Sequence, residues 1–165
     1  MDSPNLLAPV LSTLTQTFSA SIQPQFKEDD MPTLVLNRAA VFEAVSFLKT
    51  HPVMPFQFLT TLCGVHYPPQ LGVVYHLHSL KDNLRIRLKA FAPENDPVFD
   101  SLTPLFAAAN WMEREAYDFF GLQFKGHPNL IRILNVDDMT VFPMRKEIPL
   151  EDDTRTDKED AQFGR

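Results

Sequence analysis

GVVYHLHSLKDNLRIRLKAF, residues 72–91, reads as two strands and the turn between them. In its second half Leu84, Ile86 and Leu88 alternate with Arg85, Arg87 and Lys89, the period of two that sends alternate side chains to opposite faces of a sheet. One face is apolar and the other basic, as in a strand that covers a core and turns its back to water. GVVYHLHSL (72–80) is its partner, and Lys81, Asp82 and Asn83 make a link short enough for an antiparallel hairpin. His76 and His78 are two apart and share one face of the first strand, a candidate metal pair. No third ligand stands near them, and the simpler reading is two surface or partner-facing side chains.

Upstream, Leu7, Val10, Leu11, Leu14 and Phe18 recur at helical spacing and predict an amphipathic helix over 8–20, with Pro9 in its first turn. Short strands are expected at 21–26 and at TLVL, 33–36. Asn37 then caps a helix over 38–49, whose Val41, Ala44, Val45 and Leu48 form one stripe. Downstream, Thr103 and Pro104 offer an N-cap and a first-turn proline for a helical region that ends at Gly121. The order α-β-β-α-β-β-α predicts an α+β fold: a two-layer sandwich of a small mixed or antiparallel sheet with helices.

After residue 120 the periodicity stops. Residues 121–150 hold Gly121, Gly126, Pro128, Pro143 and Pro149 together with many apolar side chains, too many for a disordered tail. They are expected to form an extended partner-binding arm, unfixed in the free chain and ordered by the surface it lies on. Its bases Lys125, Arg132, Arg145 and Lys146 would meet carboxylates of that partner. Residues 151–165, EDDTRTDKEDAQFGR, read as a charged, loose tail. The expected division is a domain over 1–120, the arm, and the tail.

The composition narrows the class. A chain of 165 residues suffices for one domain with a real core. Its net charge of −6 argues against a dedicated nucleic-acid binder. Fourteen Phe against one Trp and three Tyr suggest more apolar surface than a monomer needs. The single Cys63 excludes an internal disulfide and a cysteine-only cluster or zinc site; in FLTTLCGV it reads as a small buried hydrophobe. MDSPNLLAP lacks the basic and apolar regions of a secretory signal. The two stretches without Asp, Glu, Lys or Arg, Ser3–Phe26 and Thr50–Leu80, are too polar or too proline-rich to span a bilayer. A soluble, cytoplasmic location is the expectation.

WMEREAYDFFGLQFKGHPNLIRIL, residues 111–134, carries the most chemistry. On a helix at 100° per residue, Leu105, Ala109, Met112, Ala116 and Phe119 make a narrow apolar stripe, while Trp111, Tyr117 and Phe120 lie around the remaining circumference. Arg114 and Asp118 share the arc that is left, at (i, i+4). Such a helix is expected to be covered on at least two sides. Glu113 and Glu115 are about 200° apart and cannot serve one bond as an acid–base pair. Glu115 and Asp118 share a face, and with His127 they make a candidate for a free-standing hydrolase or a metal site, although no HExxH or CxxC spacing supports it. No phosphate loop, nucleophile elbow or dinucleotide fingerprint occurs.

That stretch strongly resembles the signature of the 30 kDa subunit of proton-pumping NADH:quinone oxidoreductase (respiratory complex I). The family pattern places an aromatic before E-R-E, then an acid, two apolar residues, glycine, G-H-P and an arginine. Here these are Trp111, Glu113, Arg114, Glu115, Asp118, Phe119, Phe120, Gly121, Gly126, His127, Pro128 and Arg132. The likeness extends through LCGVHYP, VVYHLHS and PMRKEIPL, with Arg145 and Lys146, over roughly residues 55–150. The sequence departs from the pattern at Ile131 (an arginine in the family), Phe142 (a histidine), Glu147 (an aspartate) and His66 (an aspartate).

The resemblance implies a cofactor-free structural subunit of the peripheral arm, with no catalytic, cofactor or metal residues of its own. FMN, iron–sulfur clusters and quinone would lie in partner subunits. The implied partners are the large 49 kDa quinone-site subunit, the small cluster-bearing subunit and other members of the peripheral arm, at the cytoplasmic face of a bacterial inner membrane. The homologous subunit of a membrane-bound nickel–iron hydrogenase, or of a ferredoxin-driven relative, is the nearest alternative.

Overall fold

A computed structural model of the protein describes residues 4–18, 22–25 and 31–149. The predicted hairpin is the centre of the fold. Strands β4 (Gln70–Ser79) and β5 (Leu84–Pro93) pair antiparallel in register from Gln70↔Pro93 to Ser79↔Leu84. Asn83 closes the turn at φ 49, a left-handed conformation that Asn tolerates better than most residues. Along β5, Leu84, Ile86, Leu88, Ala90 and Ala92 are buried, while Arg85, Arg87, Lys89 and Phe91 are not.

Three more strands complete the sheet, in the order β1-β2-β5-β4-β3. β1 (Ile22–Gln25) and β2 (Thr33–Asn37) are antiparallel neighbours, and β2 runs parallel to β5. The sheet is therefore mixed. β3 (Phe58–Tyr67), antiparallel to β4, is an element the sequence reading misses. Its burial does not alternate, and the register slips between Leu59 and Thr61, so the period of two is lost where it would have been read.

The first helix, α1 (Pro4–Thr17), begins earlier than the spacing predicts and carries Pro9 within it rather than in its first turn; the end of the predicted span lies outside the described residues. Asn37 caps as expected, its Oδ1 accepting the Ala39 N–H at 3.1 Å. The cap opens a 3-10 turn (Arg38–Ala40) that leads into α2 (Val41–Lys49), with Val41, Ala44, Val45 and Leu48 buried. α3 (Ala109–Phe120) starts later than Thr103 and Pro104 suggest: the Leu105 and Phe106 N–H groups donate to the Leu102 carbonyl and the Ala109 N–H to the Phe106 carbonyl, so separate turns precede the helix. Between them lies β6 (Val98–Asp100), which pairs parallel with β7 (Gln123–Lys125). β7 falls inside the segment predicted to be the arm and belongs to the domain.

The buried side chains of the helices and of the inward sheet face form one core around Tyr75, Phe56, Phe99, Leu88 and Leu77. Gly64 allows the closest approach: a Cβ there would lie 2.4 Å from the Phe120 ring and 2.9 Å from Leu122. The architecture is α+β in two layers, helices over a mixed sheet. Among the described residues no helix is long and apolar enough to cross a membrane.

Candidate functional site

Helix α3 lies between the sheet and residues 126–149. Its buried stripe is Ala109, Glu113, Ala116 and Phe120, with Met112 and Phe119 only half-buried. The stripe is rotated from the predicted one, and an acid sits in it. Glu113 is fully buried. One carboxylate oxygen accepts the Ser101 hydroxyl at 2.7 Å, and the other accepts the Leu102 N–H at 2.7 Å. Burial disfavours the charge more than these two bonds favour it, and the carboxyl pKa is pushed up to about 7. Glu113 thus ties the loop that precedes α3, not the turn that follows it.

Asp118 is also fully buried, on the other side of the helix. Arg132 donates to Oδ1 at 2.7 Å, and the Asn135 side-chain amide does so at 3.1 Å. The N–H groups of Ile133, Leu134 and Asn135 converge on Oδ2 at 3.1, 2.8 and 2.9 Å. Burial acts to raise the Asp118 pKa. The bonds from the Asn135 and Leu134 amides, Arg132 and the Asn135 side chain outweigh it and hold the carboxyl well below the usual carboxylate range. The second cover over the helix is therefore this chain's own backbone, drawn in by an anion.

The other residues of the signature divide by task. Arg114 does not pair with Asp118, as the (i, i+4) spacing suggests. Its guanidinium donates to the Ile131 and Arg132 carbonyls at 3.1 and 2.8 Å and lies 5.2 Å from the Trp111 ring. Trp111 and Glu115 are exposed. Gly121 caps α3 at φ 74, its N–H donating to the Tyr117 carbonyl. A Cβ there would lie 2.6 Å from Phe142 and 2.8 Å from Arg145. Gly126 also takes a positive φ, 85, and Pro128 is exposed just beyond it. His127 donates Nε2–H to the Asn110 carbonyl at 3.1 Å and accepts the Asn129 N–H at Nδ1, 3.0 Å.

Glu115, Asp118 and His127 do not form a catalytic constellation. Both oxygens of Asp118 and both nitrogens of His127 are occupied by backbone or by Arg132 and Asn135. His127 is also anchored at residue 110, about 12 Å along the helix axis from residue 118. His76 accepts the Arg87 Nε–H at 2.9 Å, and His78 lies 3.3 Å from the Asn83 amide oxygen. Cys63 is half-buried rather than buried, and partial burial and the Glu115 charge push its thiol pKa up. A groove of about 400 Å³ beside α2 is lined by Phe42, Glu43, Asp100, Ser101 and Lys125.

Sequence reasoning assigns the bases of residues 121–150 to a partner, and the structure gives three of the four contacts within the chain. Arg132 is bound to Asp118 and to the Met139 and Val141 carbonyls. Arg145 donates to the Phe120 carbonyl at 2.7 Å. Both guanidiniums lie over the Phe142 ring, at 5.2 and 4.9 Å, so the departure at Phe142 supplies a plate for two cations. The Lys146 ammonium is 5.8 Å from the Tyr67 ring, and the Lys146 amide is bonded to His66. Lys125 is exposed. The segment also leaves large apolar side chains in solvent: Ile131, Leu134, Val136, Val141 and Met144 are exposed between 43% and 66%, beside the exposed charges Asp137, Asp138 and Glu147.

A two-layer α+β domain crossed by a strap that its own buried carboxylate holds is the class these features define. The pattern of the family described as "Respiratory-chain NADH dehydrogenase, 30 Kd subunit" matches residues 34–154, and the chain belongs to that family. An NADH-quinone oxidoreductase subunit of Rhizobium meliloti (strain 1021) is 45% identical over 113 residues, 67% of this chain and 62% of that protein. The corresponding NADH-quinone oxidoreductase subunit of Citrifermentans bemidjiense is 43% identical over 122 residues, 72% and 74% of the two chains. The chain spans about three fifths of the length of the first of these relatives. The solved structure "Nqo5 of the trypsin-resistant fragment (1-134)" superposes with a TM-score of 0.65 at 30% identity, over 75% of this chain and 98% of that one. A chain of an archaeal respiratory membrane complex, the membrane-bound sulfane sulfur reductase, shares the fold with a TM-score of 0.72 at 17% identity, over 86% and 85%.

Proposed function

We propose that the chain is a structural subunit of the peripheral arm of a proton-translocating NADH:quinone oxidoreductase, without a catalytic role of its own. It docks on the large quinone-site subunit and lies near the small cluster-bearing subunit, at the cytoplasmic face of a bacterial inner membrane. In this reading FMN, iron–sulfur clusters and quinone belong to the partners, and electrons pass from NADH to quinone through them. Relatives named NADH-quinone oxidoreductase at 43–45% identity support the NADH-linked complex over a hydrogenase or ferredoxin-driven one.

The observation that carries the docking role is the set of exposed apolar side chains Ile131, Leu134, Val136, Val141 and Met144. An apolar side chain that waves on a loose loop says little. These stand on backbone pinned by Asp118, Arg114 and Arg132, so the ordering entropy of the segment is already spent before a partner arrives. Pre-organised apolar side chains of this kind are suited to burial against another protein.

The test is assembly. Leu134→Asp with Val136→Asp should lower the amount of complex assembled, while turnover per assembled complex stays near that of the parent. Normal assembly with collapsed turnover would instead indicate a direct part in the chemistry.

A further inference from the structure

His66 fastens the far end of the strap, and both of its ring nitrogens are committed. The imidazole is 2% exposed. Nδ1 lies 3.0 Å from the backbone nitrogen of Lys146, and Nε2 lies 2.7 Å from Oε1 of Glu94. An amide N–H can only donate, so Nδ1 must be the bare acceptor and the single proton of the neutral ring sits on Nε2, directed at Glu94. A third group waits beside them: Oε2 of Glu147 is 3.5 Å from Nδ1.

We propose that His66 is a proton-operated clasp that positions residues 143–149 on the domain. The neutral ring holds the Lys146 amide. A second proton, taken from solvent onto Nδ1, turns that acceptor into a donor, and two donors then face each other across 3.0 Å. The Lys146 N–H is released and Glu147 replaces it as the partner of Nδ1. The new charge meets carboxylates on both sides, Glu94 and Glu147. The facing cations are engaged elsewhere: the Lys146 ammonium at the Tyr67 ring, and Arg145 at the Phe120 carbonyl, with its Nη1 3.8 Å from Glu147. The sheet neighbour across the strand pair is the apolar Leu71. Protonation is the one change that reverses the role of Nδ1 from acceptor to donor while leaving the Nε2–H where it is. The docking reading enters only in the consequence: Val141 and Met144 stand next to the fastened end, so their presentation to a partner becomes pH-dependent.

The isolated full-length chain suffices for the test. Amide exchange at Lys146, corrected for intrinsic rates, should show protection that falls about tenfold from pH 8 to pH 5 as one neutral hydrogen bond is lost. In His66→Asn the side-chain oxygen keeps an acceptor near the Nδ1 position that cannot be protonated, and protection should stay flat over the same range. A wild-type profile that is flat, or a sloping one that His66→Asn reproduces, overturns the clasp. If the variant fails to fold, ring ¹⁵N shifts of the wild type decide: an Nδ1–H tautomer at pH 8 overturns the proposal, and an Nε2–H tautomer replaced on acidification by the doubly protonated ring supports it. None of these readouts involves assembly, so the clasp and the docking role fail separately.

Discussion

Helix α3 buries two carboxylates, and the two ends of the helix treat them in opposite ways. Glu113, in the first half, has two donors, both neutral, and its pKa rises to about 7. Asp118, one and a half turns on, has three backbone amides, a side-chain amide and a guanidinium, and it is held as the anion. Both side chains are inaccessible to solvent, and burial raises the pKa of each, so the outcome turns on whether the donors offset it. The number and charge of the donors decide it. The same count decides what each carboxylate organises: Glu113 fastens two residues of a loop, and Asp118 gathers a whole segment.

The sharpest way to break this contrast is Asp118→Ala. Arg132 and three amides would be left facing an apolar methyl group, and a stranded buried charge costs about 3–5 kcal/mol. Chemical denaturation should show a loss of that size, and hydrogen exchange should show the amides of 133–135 losing their protection together. A loss below about 1 kcal/mol would mean that water replaces the carboxylate cheaply and that the strap does not depend on it.

The next effect concerns pH. Folded Glu113 keeps its proton up to about pH 7, whereas an unfolded glutamate releases it near 4.5. Between those values the folded state binds more protons than the unfolded one, so stability falls as pH rises through the window and is complete below it. The shift corresponds to about 3 kcal/mol. Glu113→Gln should flatten that slope and be the more stable protein at pH 8. Asp118 has the opposite sign: its contribution is present above the ordinary carboxylate range and is lost on acidification. If denaturation midpoints of Glu113→Gln and wild type ran parallel from pH 4.5 to 8, the assignment of a neutral Glu113 would be wrong.

Gly121→Ala comes third. The substitution forces φ +74 on a side chain whose Cβ has Phe142 and Arg145 within 2.8 Å, a strain of about 1–3 kcal/mol. Melting should record it, and because the strap lies against this corner, exchange around Phe142 should rise more than exchange around β6. The smallest effect is expected far from both carboxylates. Asn37→Ala removes a cap worth about 1 kcal/mol and should leave the strap's exchange unchanged.

Much of this molecule was legible in local pattern. The hairpin shows in alternation, α2 in its stripe, its entrance in Asn37 and the end of α3 in Gly121, because each depends on residues within a few positions of one another. β3 was not legible, because its bulge and partial burial on both faces erase the period. The pair β6 and β7 was not either: two three-residue strands, 98–100 and 123–125, have no signal until a helix folds back between them. At the site, the residues of the signature could be named from sequence, but their tasks could not. The one available clue was that residue 113 falls on the stripe 109–113–116–120, and an acid in a buried stripe must find donors.

What the sequence determined by itself is what short range can specify: the α+β class, the central hairpin, the helix caps and the family signature at 111–134. Tertiary structure alone decided which carboxylate is charged, that Arg132 pairs with Asp118 fourteen residues away rather than with a partner protein, and that Lys146 meets His66 across eighty. The reason is physical. A hydrogen bond or a charge state depends on the donors within about 3 Å, and here those donors arrive from elements that only the folded core brings together.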